Sequence, residues 1–208
     1  ELLEFLKQRN SKKNKLKAIS FLFSEEIKIN YWALKSLFRA YNTLANLFDE
    51  FPNSTYRIKT TRFEKMVFKY KREPDDTIWS GHPIPKFSFD KFNFLLPSLA
   101  ELNLNIANIV KITYEKIIEL EHFRETIILF LADELHEEDV FKEMTKNFIA
   151  DFTKEETDYF NSLNEAYKTL TGTELKEWRA RYSKEEYPEK VMINVFYELF
   201  TLEEMWPF

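Results

Sequence analysis

Residues 16–51 have the sequence LKAISFLFSEEIKINYWALKSLFRAYNTLANLFDEF, which contains neither glycine nor proline and decides the fold. Its apolar side chains recur every three or four residues, which is the spacing of one face of an α-helix. A turn is predicted directly after it, because residues 52–54 are Pro, Asn and Ser. We therefore predict one continuous helix over 16–51, about 50 Å long at 1.5 Å per residue. The alternative is a helix cap at Ser24, which would begin a second helix there.

A second long helix is predicted over residues 98–139. Ser98 follows Pro97 and precedes Glu101 by three residues, which is the spacing of a capping box at a helix start. The apolar residues that follow stay near the seven-residue repeat of coiled coils, but their face is wider than that of a strict two-stranded coiled coil. We therefore expect two or more neighbours around this helix, as in an antiparallel bundle. Its length of roughly 60 Å would make the molecule elongated.

The insert between the two long helices, residues 52–97, is rich in aromatic and basic residues. Apolar and polar residues alternate from Tyr56, which predicts a short strand, and residues 63–70 fit either a strand or a helix. A free linker would not hold so many aromatic residues, so we expect the insert to pack on the helices as an irregular cap. A small β-hairpin is the regular structure that we expect within it.

Shorter helices are predicted after residue 139. Thr153 precedes Glu156 at capping-box spacing and is the predicted N-cap of one of them, and Gly172 separates that helix from the next. The predicted ranges are 140–152, 154–170, 174–182 and 189–205. The fold class is therefore all-α, an elongated antiparallel helical bundle in one domain over 1–208. Its parts are a basic N-terminal arm with the first long helix (1–51), the insert (52–97), the second long helix (98–139) and the shorter helices (140–208).

The composition narrows the classes of function. The 208 residues include no cysteine and only two glycines. Without cysteine the chain forms no disulfide and no thiolate metal site, which is typical of a cytoplasmic protein. With glycine only at 81 and 172, the glycine-rich phosphate loops of P-loop and Rossmann folds are not expected. The sequence also lacks the roughly 18 consecutive apolar residues of a transmembrane helix.

The net charge of −5 hides an asymmetry along the chain. Residues 1–97 have 18 Lys and Arg against 11 Asp and Glu, whereas residues 98–208 have 12 against 24. The basic half predicts an anionic partner, and the alternative is that the two halves attract each other. The cations expected to bind such a partner form two clusters. The first is Lys7, Arg9, Lys12, Lys13, Lys15 and Lys17, and the second is Arg57, Lys59, Arg62, Lys65, Lys69, Lys71 and Arg72.

The position of the first cluster leads to the first functional hypothesis. Because the chain begins with Glu1 and not with Met, we expect further residues before it. Basic residues directly after a hydrophobic anchor are what the positive-inside rule places on the cytoplasmic side. The leading hypothesis is therefore a non-enzymatic helical interaction or scaffold domain, the cytoplasmic part of a membrane-anchored or membrane-associated protein. Its expected partners are an anionic membrane surface and another protein or a second copy of the chain.

The second cluster leads to an alternative hypothesis. Aromatic residues lie between its cations, and this combination is typical of proteins that neutralise phosphates and stack on bases. The alternative function is therefore nucleic-acid binding through residues 7–17 and 56–72. Aromatic side chains that face the core, with the cations simply facing water, would produce the same pattern.

A proline-rich loop is the one other candidate site. Rigid prolines and a permissive glycine in residues 75–85 hold mixed side chains that are typical of binding loops, and an ordinary turn is the alternative. The candidate residues of this loop are Asp75, Asp76, Trp79 and His82.

Two carboxylate–histidine pairs have the spacing found in di-iron bundles, Glu119 with His122 and Asp133 with His136. Both pairs lie on one predicted helix, about 21 Å apart, whereas a di-iron site takes its pairs from different helices. We therefore expect no metal and no cofactor. No nucleophile motif is present either, and the sequence favours a protein that is not an enzyme.

Overall fold

The computed structural model describes residues 2–51, 53–61, 65–132 and 139–175. Within these ranges the chain is mostly helical, as predicted, and it also contains a small antiparallel sheet. The elements in chain order are α1 (Leu2–Glu50), β1 (Thr55–Thr60), β2 (Met66–Lys71), β3 (Ser80–Pro83), α2 (Asp90–Leu102), α3 (Leu104–Ala132), α4 (Asp139–Lys154) and α5 (Glu156–Thr171).

Helix α1 confirms the prediction of one continuous helix and begins earlier than predicted, at Leu2. The alternative start at Ser24 is wrong, because its hydroxyl donates back to the Phe21 carbonyl at 2.8 Å inside the helix. The apolar spacing of residues 16–51 produces one continuous buried face. Its fully buried members include Phe23, Ile27, Leu34, Leu37, Tyr41, Leu44 and Leu47.

The second long helix is divided in two, and its predicted start at Ser98 is wrong. Helix α2 begins at Asp90, so that Pro97 and Ser98 both lie inside it. No side chain next to Asp90 caps this start. The cap comes instead from α1, where the Glu26 carboxylate accepts the Lys91 N–H at 3.0 Å. A capping group 65 residues away leaves no local pattern in the sequence.

Asn103 produces the break between α2 and α3. Its backbone is extended, with φ −159° and ψ 99°, and its N–H still donates to the Leu99 carbonyl at 2.8 Å. Its side-chain oxygen accepts the Ile106 N–H at 3.1 Å, and its carbonyl accepts the Ala107 N–H at 3.0 Å. Asn103 thus ends one helix and is the N-cap of the next.

Replacing Asn103 with alanine is expected to lower the free energy of unfolding by about 1 kcal/mol, because the Ile106 N–H loses its acceptor. Urea unfolding followed by far-UV circular dichroism measures the change. Asn105→Ala is the control, since Asn105 is exposed in the first turn of α3 and should change stability by less than about 0.5 kcal/mol. Equal effects of the two substitutions would contradict the capping role.

The insert forms a three-stranded antiparallel sheet in the order β1-β2-β3, which is more than the predicted hairpin. Residues 66–71 take the strand alternative of the two that the sequence allowed. Side chains alternate along each strand, so residues that pair across strands share a face. The inner face packs against the helical core with the pairs Tyr56–Tyr70 and Ile58–Phe68.

Aromatic rings join the helices in the core. Phe152 of α4 stacks on Phe38 of α1, with ring centroids 4.5 Å apart, and meets Tyr41 edge-on at 4.8 Å. Phe123 of α3 lies 5.1 Å from the same Phe152 ring. Contacts between aromatic rings therefore hold α1, α3 and α4 together in the core.

Helices α4 and α5 confirm two of the four shorter helices, with a different boundary between them. Thr153 is not an N-cap, because it lies inside α4 and its hydroxyl donates to the Ile149 carbonyl at 3.0 Å. Gly172 ends α5 with φ 76°, a conformation that glycine adopts without strain. The predicted helices over 174–182 and 189–205 lie outside the described residues, apart from 174 and 175. The single domain over 1–208 stays a prediction.

Candidate anion-binding sites

The first cation cluster lies on the first turns of α1, and we call its six residues the basic turns. Residues 7–15 and Lys17 are exposed, and the buried face of α1 begins only at Ile19. None of the six cations has an ion-pair or hydrogen-bond partner among the residues that the structure describes. The described acidic residues of positions 98–208 therefore do not neutralise the basic turns.

The basic turns surround the helix. At about 100° per residue, their six positions leave no gap wider than about 80° around the helix axis. Residues 5–24 contain no Asp or Glu that would weaken this charge. A helix that lies flat on an anionic surface has its cations on one side. This distribution instead suits a helix that meets a charged surface end-on.

The second cluster lies on the insert. The strand register places four of its cations on the outer face of the sheet. Arg57 pairs with Lys69, and Thr55 pairs with Lys71, so that these side chains lie opposite the aromatic inner face. Lys59 has the same alternation on β1. We call Arg57, Lys59, Lys69 and Lys71 the cationic sheet face.

Two other cations of the second cluster lie outside the cationic sheet face. Lys65 is exposed between β1 and β2, and its N–H donates to the Thr61 hydroxyl at 3.2 Å. Arg72 follows β2, and its guanidinium lies 5.3 Å from the centre of the Phe51 ring. Arg62 lies outside the described residues.

Trp79 is the loop residue that the structure brings to the cationic sheet face. The Arg57 guanidinium carbon lies 4.1 Å from the centre of a Trp79 ring, and the Lys71 ammonium lies 5.3 Å from it. Both distances are within the range of cation–π attraction. Two cations from neighbouring strands therefore hold the half-buried indole.

The other loop residues lie apart from Trp79. His82 is on the inner side of the sheet, where its Nε2 is 3.0 Å from the Thr43 hydroxyl and its ring stacks on Tyr70. Burial lowers the pKa of His82, and the nearby Arg39 lowers this pKa further. The structure thus does not bring Trp79 and His82 to one face.

The two acids of the loop have different surroundings. The Asp76 carboxylate accepts the backbone N–H groups of Arg72 and Glu73, both at 3.1 Å, and so stabilises its own turn. Asp75 is exposed. Asp76 therefore has a structural role in the turn that connects β2 to β3.

A long stretch of α1 separates the two cation clusters. The sheet packs on the last turns of α1, where the Phe48 ring meets Tyr56 with centroids 5.5 Å apart. Lys12 lies 36 residues before Phe48, which corresponds to about 50 Å along the helix. The basic turns and the cationic sheet face are therefore two separate sites.

A buried acidic residue on α1 was not predicted from the sequence. Glu26 is 3% exposed, and its carboxylate accepts hydrogen bonds from the Ser88 hydroxyl, the Lys91 N–H and the Tyr114 hydroxyl. Burial and the Glu26 carboxylate both raise the pKa of Tyr114, so that this phenol stays protonated as a donor. Asn30, one turn later, accepts the Ser88 N–H at 2.7 Å. Together they fasten the start of α2 to α1.

A buried arginine fastens the same segment to α3. Arg124 is 2% exposed, and its guanidinium lies 2.8 Å from a Glu121 carboxylate oxygen. It also donates to the Ile84 carbonyl at 3.4 Å, while the other Glu121 oxygen accepts the Phe87 N–H at 3.0 Å. In the sequence, the signal for this network is weak. Glu121 and Arg124 are charged residues within a largely apolar helix.

The described residues offer no group of three or more His, Asp or Glu side chains that could hold a metal ion. Glu119 and His122 are exposed on α3, and Asp133 and His136 lie outside the described ranges. No described helix is both long enough and apolar enough to span a bilayer. Comparison with protein-family models, with curated proteins and with solved structures finds no match.

Proposed function

We propose that this protein is a non-enzymatic helical interaction domain at the inner face of a membrane, where the basic turns of α1 bind anionic headgroups. The observation that supports this most is the exposure of all six cations on a helical segment without an acidic partner among the described residues. In this proposal the helices form an antiparallel bundle that presents its surface to a partner protein or to a second copy.

The charge of the basic turns is large enough for such binding. A Lys or Arg close to an anionic leaflet contributes about 1 kcal/mol, and this attraction decays within a Debye length of about 8 Å at physiological salt. Lys7 and Lys17 are separated by about 15 Å along the axis, so the cations nearest the surface contribute most. Several kilocalories per mole are therefore available without any lipid insertion.

Reversing three charges of the basic turns should abolish most of the binding. The variant Lys12→Glu/Lys13→Glu/Lys15→Glu is expected to bind phosphatidylglycerol vesicles roughly 100-fold more weakly than the unmodified chain, because about 3 kcal/mol of attraction is lost. Co-sedimentation at 0.1 M salt measures this affinity, with phosphatidylcholine vesicles as the uncharged reference.

The control variant changes the same net charge elsewhere. Lys111→Glu/Lys154→Glu/Lys168→Glu replaces three exposed lysines of α3, α4 and α5, whose side chains lie near acids. We expect this variant to keep its vesicle affinity within a few-fold. Equal losses in both variants would mean that only the net charge matters, and the proposed role of the basic turns would be wrong.

A further inference from the structure

The cationic sheet face has the construction of a binding site in its own right. The strands that form it, TYRIKT and MVFKYK, contain no acidic residue. Cations that follow each other on one strand face are two residues apart, about 7 Å, and the neighbouring strand lies about 4.8 Å away. Four positive side chains therefore share a small area. The loop that follows Lys71 contains the acids Glu73, Asp75 and Asp76.

Val67 shares this face and is buried, at 8% exposed, beside Pro83 of β3, whereas β3 adds no side chain at the Lys69 end. Gly81 pairs with Lys69 and presents no side chain beside it. A Cβ atom at Gly81 would lie 2.9 Å from the Phe68 carbonyl oxygen, closer than real Cβ atoms come, and 3.2 Å from a Val67 methyl carbon, which is a tight contact. Glycine is therefore needed for the close approach of β3 to β2, and the exposed Gly81 adds no side chain next to Lys69.

Trp79 adds an aromatic platform to the positive charge. The Arg57 and Lys71 contacts fix the indole at the edge of the open surface, where it is half-buried. A guanidinium that lies over a ring keeps its N–H groups directed outward, where they can donate to a phosphate oxygen. Fixed cations beside a fixed ring are the elements that sequence-independent binders use to neutralise phosphates and stack bases.

From these features we propose that the cationic sheet face binds single-stranded nucleic acid, with Trp79 stacking on a base and Arg57, Lys69 and Lys71 contacting phosphates. An open sheet suits a single strand, whose bases are free to stack, because a duplex exposes no base face to Trp79. A lipid surface is less suitable, because among the described residues of this face Trp79 is the single aromatic ring available for insertion. This site does not depend on the function of the basic turns, which lie about 50 Å away along α1.

The test is fluorescence anisotropy with a labelled oligothymidine of twenty nucleotides and the full chain. With three phosphate contacts, the logarithm of the binding constant should fall with the logarithm of salt concentration with a slope of about −2. Arg57→Gln/Lys71→Gln removes two of these contacts and should make this slope shallower by about 1.4. Trp79→Ala should weaken binding roughly 10-fold at every salt concentration, and Trp79→Phe, which keeps a ring, should recover most of the loss.

The basic-turn variant Lys12→Glu/Lys13→Glu/Lys15→Glu is the control, and it should keep the salt slope and the affinity within a few-fold. Absence of binding at 50 mM salt would overturn the inference. So would equal affinities of the unmodified chain and the Arg57/Lys71 variant, or a loss caused only by the basic-turn variant. Loss of vesicle binding by Arg57→Gln/Lys71→Gln without loss of oligonucleotide binding would assign this face to lipid and would also overturn it.

Discussion

Replacing Arg124 with methionine is expected to lower the free energy of unfolding by about 3–5 kcal/mol. The guanidinium is almost fully buried and pairs with Glu121, whose side chain is only 14% exposed. Removal of the arginine leaves that carboxylate with little solvent and with the Phe87 N–H as its remaining described donor. The loss of stability comes mainly from this uncompensated charge, because methionine fills most of the space that the arginine side chain occupied. Urea unfolding measured by circular dichroism gives the difference.

A second substitution separates the buried charge from the lost packing. Glu121→Gln in the Arg124→Met background removes the unpaired charge and keeps a side-chain oxygen for the Phe87 N–H. We expect the double variant to regain about half of the lost stability. A double variant that is less stable than Arg124→Met alone would show that the carboxylate is not the source of the cost.

Replacing Glu26 with alanine is the next largest expected change, a loss of about 3 kcal/mol. The substitution leaves the Ser88 hydroxyl, the Lys91 N–H and the Tyr114 hydroxyl without their acceptor in a buried place. An unsatisfied buried donor costs about 1–3 kcal/mol, and relaxation of the hydroxyl groups reduces the sum. The N-terminus of α2, which is the positive end of the helix dipole, also loses a nearby negative charge that stabilises it.

The adjacent residue provides a matched control. Glu25 is also an acid of α1, but its side chain is 46% exposed and forms an ion pair with Lys28 three residues later. Glu25→Ala should cost less than about 1 kcal/mol, because exposed pairs contribute little. Glu26→Gln should fall between the two alanine variants. If Glu25→Ala and Glu26→Ala had the same effect, the role of Glu26 as a distant helix cap would be wrong.

Helix α1 was predictable because its information is local. The apolar spacing of residues 16–51 is that of one helix throughout, the stretch contains no glycine or proline, and Ser24 was the one alternative cap considered within it. The start was predicted too late because residues 2–15 are dominated by polar side chains, and a solvated helix shows no apolar periodicity. Such a segment can be recognised as helical only by continuity with the amphipathic part that follows.

The region around α2 was mispredicted because its determinants are distant in the sequence. Ser98 and Glu101 have capping-box spacing, yet the helix begins at Asp90 under the Glu26 carboxylate. The real cap, Asn103, lies within a predicted helix that contains two other asparagines, Asn105 and Asn108. Only the geometry of its backbone distinguishes it from the exposed Asn105.

The two cation clusters could be listed from the sequence, but their arrangement could not. Strand alternation places Arg57, Lys59, Lys69 and Lys71 on one face, and this conclusion requires the register between β1 and β2. The contact of Trp79 with that face requires the third strand, which the sequence did not indicate. The distance between the clusters follows from the length of α1 and from the packing of the sheet at its end.

The most direct test of the central claim, that the basic turns meet an anionic membrane, is to measure which end of α1 approaches the bilayer. The chain has no cysteine, so Ser11→Cys and Ser80→Cys each provide a single labelling position, one in the basic turns and one in β3. Energy transfer from a fluorophore at each position to headgroup-labelled phosphatidylglycerol vesicles reports the proximity. We expect strong transfer from position 11 and weak transfer from position 80. Equal transfer from both positions, or stronger transfer from position 80, would contradict the proposed function.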